Sequence, residues 1–464
     1  MIGGGISGLA AAHRLIELDP LCQPVLFEAT ARLGGVIHTL DEHGFQVEQS
    51  ADNFITTVPW GVDLCRRLGL GDELIQTNAA YRQTFVVRRG RLYKLPDGFL
   101  MMAPSRLWPL AVTPILSPWG KLRAAVEYFL PPRRDDDDES MAHFVRRRLG
   151  REVFDRLVEP LVSAVYAADM ERLSLLATLS QFRDMERTHG SLIRAMRKRM
   201  AAQPKQTAGD SGARYSMFVT PRRGLSSIVE AMAHRLPPGS LRLSTPVERI
   251  QRAPHGGWLV HSAAAPPQPF DALILATPAY VAARLLETID GQLAADLAGI
   301  EHSGTAIVSV GYDRQQVAHP LDGMGMVVPS VEHSPLLACS FSSQKYVHRA
   351  PEGKLLLRVF AGGARRPELA EMDDQPLQEL LLGELSRLLG IRGEPLYRNV
   401  AHWPRTMPQY HVGHTRLVQR IEAHAAALPD FGLAGNAFHG VGLPHCIHSG
   451  EQAAQRVLQQ TTAP

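Results

Sequence analysis

Three glycines near the start of the chain have a spacing that chemistry can use. Gly3, Gly5 and Gly8 form G-x-G-x-x-G within "MIGGGISGLAAAHRL", and apolar residues at helical spacing follow. The first glycine permits a tight turn, the second lets backbone approach a pyrophosphate, and the third lets a helix pack closely on a sheet. The helix N-terminus adds N–H donors and the positive end of its dipole, so Gly4, Ile6 and Ser7 complete a phosphate cradle. "QPVLFEA" reads as a second strand ending in Glu28, twenty residues past Gly8. A carboxylate there accepts the hydroxyls of an adenosine ribose. A glycine-rich turn beside a surface glutamate is the alternative reading of the same residues.

The elements that must position this cradle follow along the chain. "EATARLGG" continues from Glu28 through Ala29 and Arg32 to Gly34, Gly35 and then Val36. "MFVTPRRGLSSIVEAMAHRL" reads as strand, turn and amphipathic helix, "LRLSTPVERIQRAPHGGWLVHS" as paired strands, and "FDALILATPAYVAARLL" as a buried strand. At the far end, "PDFGLAGNAFHGVGLPHCIHSGEQAAQRVLQ" reads as a strand, a glycine-rich turn and a final helix. With 464 residues, 45% of them hydrophobic and 20% charged, the chain has room for two or three domains around a large core. A net charge of +3 carries no strong nucleic-acid signature. Cys22, Cys65, Cys339 and Cys446 lie far apart and match no metal-ligand spacing. They read as reduced core thiols of a cytosolic protein. The start has no signal-peptide pattern, and no stretch offers about twenty uninterrupted apolar residues, the length that spans a membrane.

Residues 99–130 are apolar but broken by Pro104, Pro109, Pro114 and Pro118, which dictates short helices. Such helices, presenting Leu, Trp and Phe beside Arg106 and Lys121, suit either a seat on a membrane surface or the lining of a substrate channel. "RRDDDDES" reads as a solvated linker, with Ser140 capping the next helix. The polar, glycine-rich residues 198–215 read as a loop without chemistry.

The E-x-x-x-R-x-G-G continuation and the A-G-N turn at the far end resemble FAD-binding amine-oxidase-like flavoproteins. Four further segments resemble the FAD-dependent, oxygen-using protoporphyrinogen oxidases. They are "VEPLVSAVYAADMERLSLLATLSQF" (158–182), "LDGMGMVVPS" (321–330), "LLACSFSSQKYVHRAPEGKLLLRVFAGG" (336–363) and "WPRTMPQYHVGH" (403–414). The match is collinear over nearly the whole chain. It implies a six-electron oxidation of protoporphyrinogen IX in three flavin cycles. Each cycle passes a hydride to flavin N5, and dioxygen reoxidises the flavin to give hydrogen peroxide. Coproporphyrinogen III oxidation is the runner-up, and an extra cation in the pocket would favour it. A flavin amine oxidase, a carotenoid desaturase and a non-catalytic binder of the GDP-dissociation-inhibitor kind are more distant alternatives.

The resemblance implies a fold of α/β and α+β parts. A discontinuous Rossmann-like FAD domain would comprise residues 1–80, 216–285 and 415–464. A mixed-sheet substrate domain would comprise 81–98 and 286–414, and a helical membrane-associating or channel domain 99–205. It places Gly3, Gly4, Gly5, Ile6, Ser7, Gly8, Glu28, Ala29, Arg32, Gly34, Gly35 and Val36 along the FAD diphosphate and ribose, and Val247 against the adenine. Ser50, Ala51, Asp52, Asn53, Trp403, Gly435, Val441, Gly442 and Leu443 would lie by the flavin. Met324, Gly325, Met326, Val327 and Phe360 would pack on the tetrapyrrole, with Gly325 letting the macrocycle approach the backbone. The family's partners would be a porphyrinogen and dioxygen, a peripheral place on the inner face of the cytoplasmic membrane, a homodimer and hand-off to ferrochelatase.

Three departures stand out. Ser50 and Ala51 replace a usual Gly-Pro pair. Thr84 stands where many members carry an arginine that pairs with a propionate, and Arg82 or Arg88 would substitute, since all three can share one strand face. Finally, only Met1 and Ile2 precede the glycine loop, where a central buried strand is expected. This suggests a natural start some residues upstream, because neighbouring strand edges would otherwise be exposed.

Overall fold

The computed structural model describes residues 1–104, 106–202, 217–263 and 265–461. Beneath the glycine loop lies a sheet of short parallel segments. Leu26–Phe27 pairs with Leu241–Arg242, and Leu273–Leu275 pairs with Phe431–Leu433. Ile2 joins the two pairs, bridging Phe27 on one side and Leu275 on the other. The Ile2 amide donates to Ile274 O (2.9 Å) and its carbonyl accepts from Ala276 N (2.8 Å). On the other side Gly3 N donates to Phe27 O (2.8 Å) and Phe27 N to Met1 O (2.9 Å). Both neighbouring strands are therefore bonded at their ends by the loop beneath which they lie. In a parallel ladder alternate residues bond to alternate neighbours, so Met1, Ile2 and Gly3 reach both pairs where the loop begins.

Two helices lie on this sheet. Ile6–Leu18 and Leu443–Thr461 pack through Ala11, Leu15, Ala453, Ala454 and Val457. Their approach is so close that a Cβ on Gly450 would collide with the Ser7 carbonyl.

The second sheet has seven strands, ordered Tyr397–Pro408, His302–Asp313, Lys354–Gly362, Ala338–Phe341, Gly325–Val327, Thr84–Arg88 and Arg91–Lys94. All neighbours are antiparallel except Gly325–Val327 with Thr84–Arg88. Strand periodicity divides its side chains between two cores. Phe85, Val87, Met326, Cys339, Leu357, Val359, Val308 and Val310 face the helix Asp374–Leu389 through Leu377, Leu381 and Leu385. Val86, Val327 and Ala338 face the helical region through Phe144, Val158 and Val162.

That helical region contains Leu107–Val112, Pro118–Val126, Met141–Leu149, Glu159–Tyr166, Leu175–His189 and Leu192–Ala202. Ser140 accepts a bond from His143 N (3.2 Å) and caps its helix as expected. Of the neighbouring aspartates Asp135, Asp136 and Asp137 are exposed, as a solvated linker should be, while Asp138 is half-buried. Asp138 accepts from Ser174 Oγ (2.6 Å) and Gly413 N (3.0 Å), and Asp135 pairs with Arg133 (2.6 Å). Arg133 and Arg183 also lie near Asp135 and Arg187 near Asp136, at the surface. Residues 198–202 end a helix rather than begin a loop, and 203–216 lie outside the described residues. All four cysteines are free thiols, and among the described residues no helix is long and apolar enough to cross a membrane.

Candidate active site

The glycine loop has the form its spacing predicts. Gly3 has φ +107°, and a Cβ there would stand 2.5 Å from Ala276 O. Gly8 has no room either, since its Cβ would strike the Gly3 carbonyl. At Gly5 a Cβ would meet no atom within 4 Å. The helix that starts at Ile6 has no side-chain cap, so its first amides face that open space. Glu28 closes the cradle: Oε2 accepts from Gly4 N (2.7 Å) and Oε1 from Thr30 N (2.8 Å) and Thr30 Oγ1 (2.7 Å). Ala29 continues from Glu28, and Val247 is buried beside Phe27 where its strand begins. Thr277 Oγ1, next to Gly3, is buried with no partner among the described residues. An open cradle, uncapped amides, a directed carboxylate and an orphaned hydroxyl together fit the diphosphate and ribose of FAD.

Arg32 holds the turn beside the cradle. Its guanidinium donates to Leu33 O (2.8 Å), Ile37 O (2.7 Å) and Gly35 O (2.5 Å). It shapes the turn of Gly34, Gly35 and Val36, while Gly34 N donates to Gly4 O (2.8 Å). Arg32 thus reaches the cradle through the backbone it organises.

The Ser50-Ala51-Asp52-Asn53 turn is clamped from the seven-stranded sheet. Trp403 Nε1 donates to Gln49 O (2.6 Å), Gln49 Nε2 to Asn399 Oδ1 (2.8 Å), and Arg358 Nη2 to Ser50 O. Lys345 Nζ lies 3.1 Å from both carboxylate oxygens of Asp52. Burial alone would raise the Asp52 pKa, but Lys345 and Arg358 outweigh it and hold the carboxyl below its usual range. Ser50 Oγ is buried without a partner among the described residues.

The C-terminal turn is built by the 403–414 signature. Tyr410 OH donates to Asn436 O (2.5 Å) and accepts from Gly440 N (2.9 Å). His414 stacks on Tyr410 at 4.0 Å and bonds to Phe438 O (3.2 Å). Burial lowers the His414 pKa to about 4, so it is neutral near pH 7. Gly435 N donates to Ser449 Oγ (3.1 Å). Val441 and Gly442 lead into the helix beginning at Leu443, whose N-terminus faces the same turn.

The substrate candidates fall mostly on one face of the large sheet. One row across it reads Thr84, Gly325, Ser340, Arg358, Ser309 and Asn399. The next reads Val86, Val327, Ala338, Phe360, Ile307 and Ala401. Thr84, Gly325, Val327 and Phe360 thus share one surface, and Trp403 lies two residues beyond Ala401 on the same face. Met324 precedes its strand and is tied to Gln83 O and Phe341 N. Met326 is corrected: it is 1% exposed and points to the opposite core, as strand alternation requires. A Cβ at Gly325 would lie 2.5 Å from the Cys339 carbonyl of the adjoining strand. Arg88 is the last residue of its strand. Its guanidinium donates to Pro114 O at the far end of its strand, whereas Arg82 precedes Thr84 beside Gln83 and Met324. Lys345, Arg358 and the clamping roles of Tyr410 and His414 were missed. A lone arginine inside the apolar run "KLLLRVFAG" was the available signal.

With this geometry in place, the comparisons are specific. The family model for flavin-containing amine oxidoreductases matches residues 6–458, and the chain belongs to that family. Within it, the chain is a porphyrinogen-oxidase relative and an FAD oxidoreductase. It is 33% identical to the coproporphyrinogen III oxidase of Bacillus subtilis (strain 168), over 99% of this chain and 97% of that protein. It is 30% identical to the chloroplastic protoporphyrinogen oxidase of Nicotiana tabacum, over 98% of this chain and 84% of that protein. Among solved structures, a provisionally named protoporphyrinogen oxidase from Exiguobacterium sp. 255-15 superposes with a TM-score of 0.88 at 31% identity, covering 99% of this chain and 98% of that one.

Proposed function

We propose that this protein binds FAD and oxidises a porphyrinogen to the porphyrin, with coproporphyrinogen III as its substrate and dioxygen as the electron acceptor. The carrying observation is the single sheet face that presents Thr84, Gly325, Val327 and Phe360 beside Trp403 and the clamped 50–53 turn. FAD, when bound, supplies the two-electron acceptor that three cycles need for six electrons. Phe360 and Val327 offer the macrocycle an apolar floor, and the clamps on the 50–53 and 435–442 turns hold the two sides of the cofactor space in fixed relation. Protoporphyrinogen IX, favoured by the sequence reading, is the second possibility and is supported by the plant relatives. Coproporphyrinogen is preferred because bacterial relatives of that name match at 30–33% over 91–98% of their length.

A peripheral membrane seat belongs to the same proposal. Trp108, Trp119 and Phe129 are 76%, 78% and 77% exposed, with Val112 and Leu122 beside them in sequence. Arg194 of the basic helix Leu192–Ala202 lies over the ring of Tyr128 at 4.6 Å. Aromatic side chains next to a basic helix suit an anionic lipid surface.

The test is a comparative assay. The purified, FAD-loaded protein should convert coproporphyrinogen III into fluorescent coproporphyrin with oxygen uptake, faster than it converts protoporphyrinogen IX. A flavin-loaded sample that yields porphyrin from neither rejects the proposal.

A further inference from the structure

Two cations share one carboxylate where the 50–53 turn meets the substrate face. Lys345 Nζ is 3.1 Å from Asp52, and Arg358 Nη1 is 3.6 Å from the same carboxylate. The neighbouring Glu48–Arg349 pair, at 2.9 Å, closes on itself. Three cations against two carboxylates leave one positive charge in excess. The Arg358 side chain is 1% exposed, and its Nε and Nη1 make no hydrogen bond among the described residues. Excess charge and unmet donors in a buried site call for an anion.

The cluster is open on one side, because the side chains of Lys345 and Asp52 are 16% and 15% exposed. Its surroundings are the substrate candidates. The Lys345 carbonyl accepts from Asn78 N in the segment leading to Arg82, and the strand before Lys345 is tied to Met324 through Phe341 N. Arg358 stands in the same sheet row as Thr84, three strands away, or roughly 14 Å. The site therefore holds a threonine at one end of this row and surplus charge three strands along it.

We propose that Lys345 receives a substrate carboxylate, one of the propionates that coproporphyrinogen III carries where protoporphyrinogen IX carries a vinyl group. Arg358 is the positioning residue, holding Asp52 and Ser50 so that Lys345 stays directed. This inference rests on the porphyrinogen reading above and assigns its specificity to a named side chain.

The experiment compares FAD-loaded wild type, Lys345→Met and Lys345→Arg. Flavin content per chain, kcat and KM for both porphyrinogens, and fluorescence titration with coproporphyrin III and protoporphyrin IX are measured. Lys345→Met should lower kcat/KM for coproporphyrinogen III by roughly 10- to 100-fold, mainly through KM, the range for a hydrogen bond to a charged group. Loss of the Asp52 hold should act on flavin content and on both substrates alike, so the readout is the coproporphyrinogen III to protoporphyrinogen IX ratio of kcat/KM per bound flavin, which should fall in Lys345→Met and largely recover in Lys345→Arg. Coproporphyrin III binding should weaken in parallel. An equal loss on both substrates, or an unchanged ratio, overturns the assignment. If Lys345→Met does not fold, Asp52→Asn decides: it adds to the surplus charge and should tighten coproporphyrin III relative to protoporphyrin IX, and an unchanged ratio overturns the assignment. A wild type active on neither porphyrinogen brings down the underlying reading instead.

Discussion

Gly5 is the position where one side chain separates cofactor binding from folding. Its φ of −70° and ψ of 177° are open to any L-residue. A Cβ there meets nothing within 4 Å. Gly5→Leu should therefore fold with at least wild-type stability, gaining up to about 1 kcal/mol from reduced freedom of the unfolded chain. The new side chain would stand where the diphosphate approaches the first amides of the helix. Losing two charge-assisted hydrogen bonds at about 1.5–3 kcal/mol each removes about 3–6 kcal/mol of binding. That corresponds to roughly a 10²- to 10⁴-fold rise in the FAD Kd. Gly3→Ala is the contrasting control: with φ +107° and a Cβ 2.5 Å from Ala276 O, it should lower stability itself. Thermal unfolding of the apo proteins and flavin titration measure both effects. Normal flavin occupancy in Gly5→Leu, or unfolding of Gly5→Leu beside a stable Gly3→Ala, would refute the cradle.

Three further outcomes are expected. Tyr410→Phe strips partners from Gly440 N and Asn436 O, so it should cost about 1–3 kcal/mol in denaturant unfolding and weaken flavin retention, and unchanged values would remove Tyr410 from the turn. The His414 pKa falls to about 4 in the folded chain from an ordinary 6.5, so the unfolded state binds more protons between these values. The stability tied to neutral His414 is complete above pH 6.5 and declines toward pH 4, at no more than about 1.4 kcal/mol per pH unit; His414→Gln should flatten that stretch of the curve, and an identical slope would contradict the assignment. Replacing Trp108, Trp119 and Phe129 together with serine should abolish co-sedimentation with anionic vesicles while leaving porphyrin formation in detergent-free solution intact, and undiminished binding would locate any membrane contact elsewhere.

What the sequence made legible follows from how local each constraint is. The glycine loop, Glu28 and Gly34 sit within one stretch whose spacing is dictated by a single ligand group, and they meet in space through Gly4 and Gly34. The substrate face has no such one-dimensional signature. Thr84, Gly325, Ser340 and Arg358 become neighbours only through strand pairings across more than 200 residues, so resemblance rather than pattern brought some of them together. Strand alternation then separates Met326 from its neighbours and sends it into the opposite core. The crowding of Gly325 against the Cys339 carbonyl is likewise a contact that no local pattern shows.

The least legible part of the site grows out of a visible departure. Without the Gly-Pro pair, the turn at Ser50 and Ala51 lacks the fixed φ of proline, and its backbone must be held from outside. Three holds are supplied: the sheet sets Trp403 on Gln49 O and Arg358 on Ser50 O, and the short helix Ser342–Lys345 sets Lys345 on Asp52. Two of these are cations, and one carboxylate balances only one of them. Moving the rigidity of the turn from its backbone into side chains thus also sets positive charge at the edge of the substrate face. A Gly-Pro pair restored at 50–51 would separate the two effects. The turn should then tolerate Arg358→Met with flavin content retained, whereas Arg358→Met in the present sequence should lower it. Equal flavin loss in both backgrounds would show that Arg358 does not act through the turn.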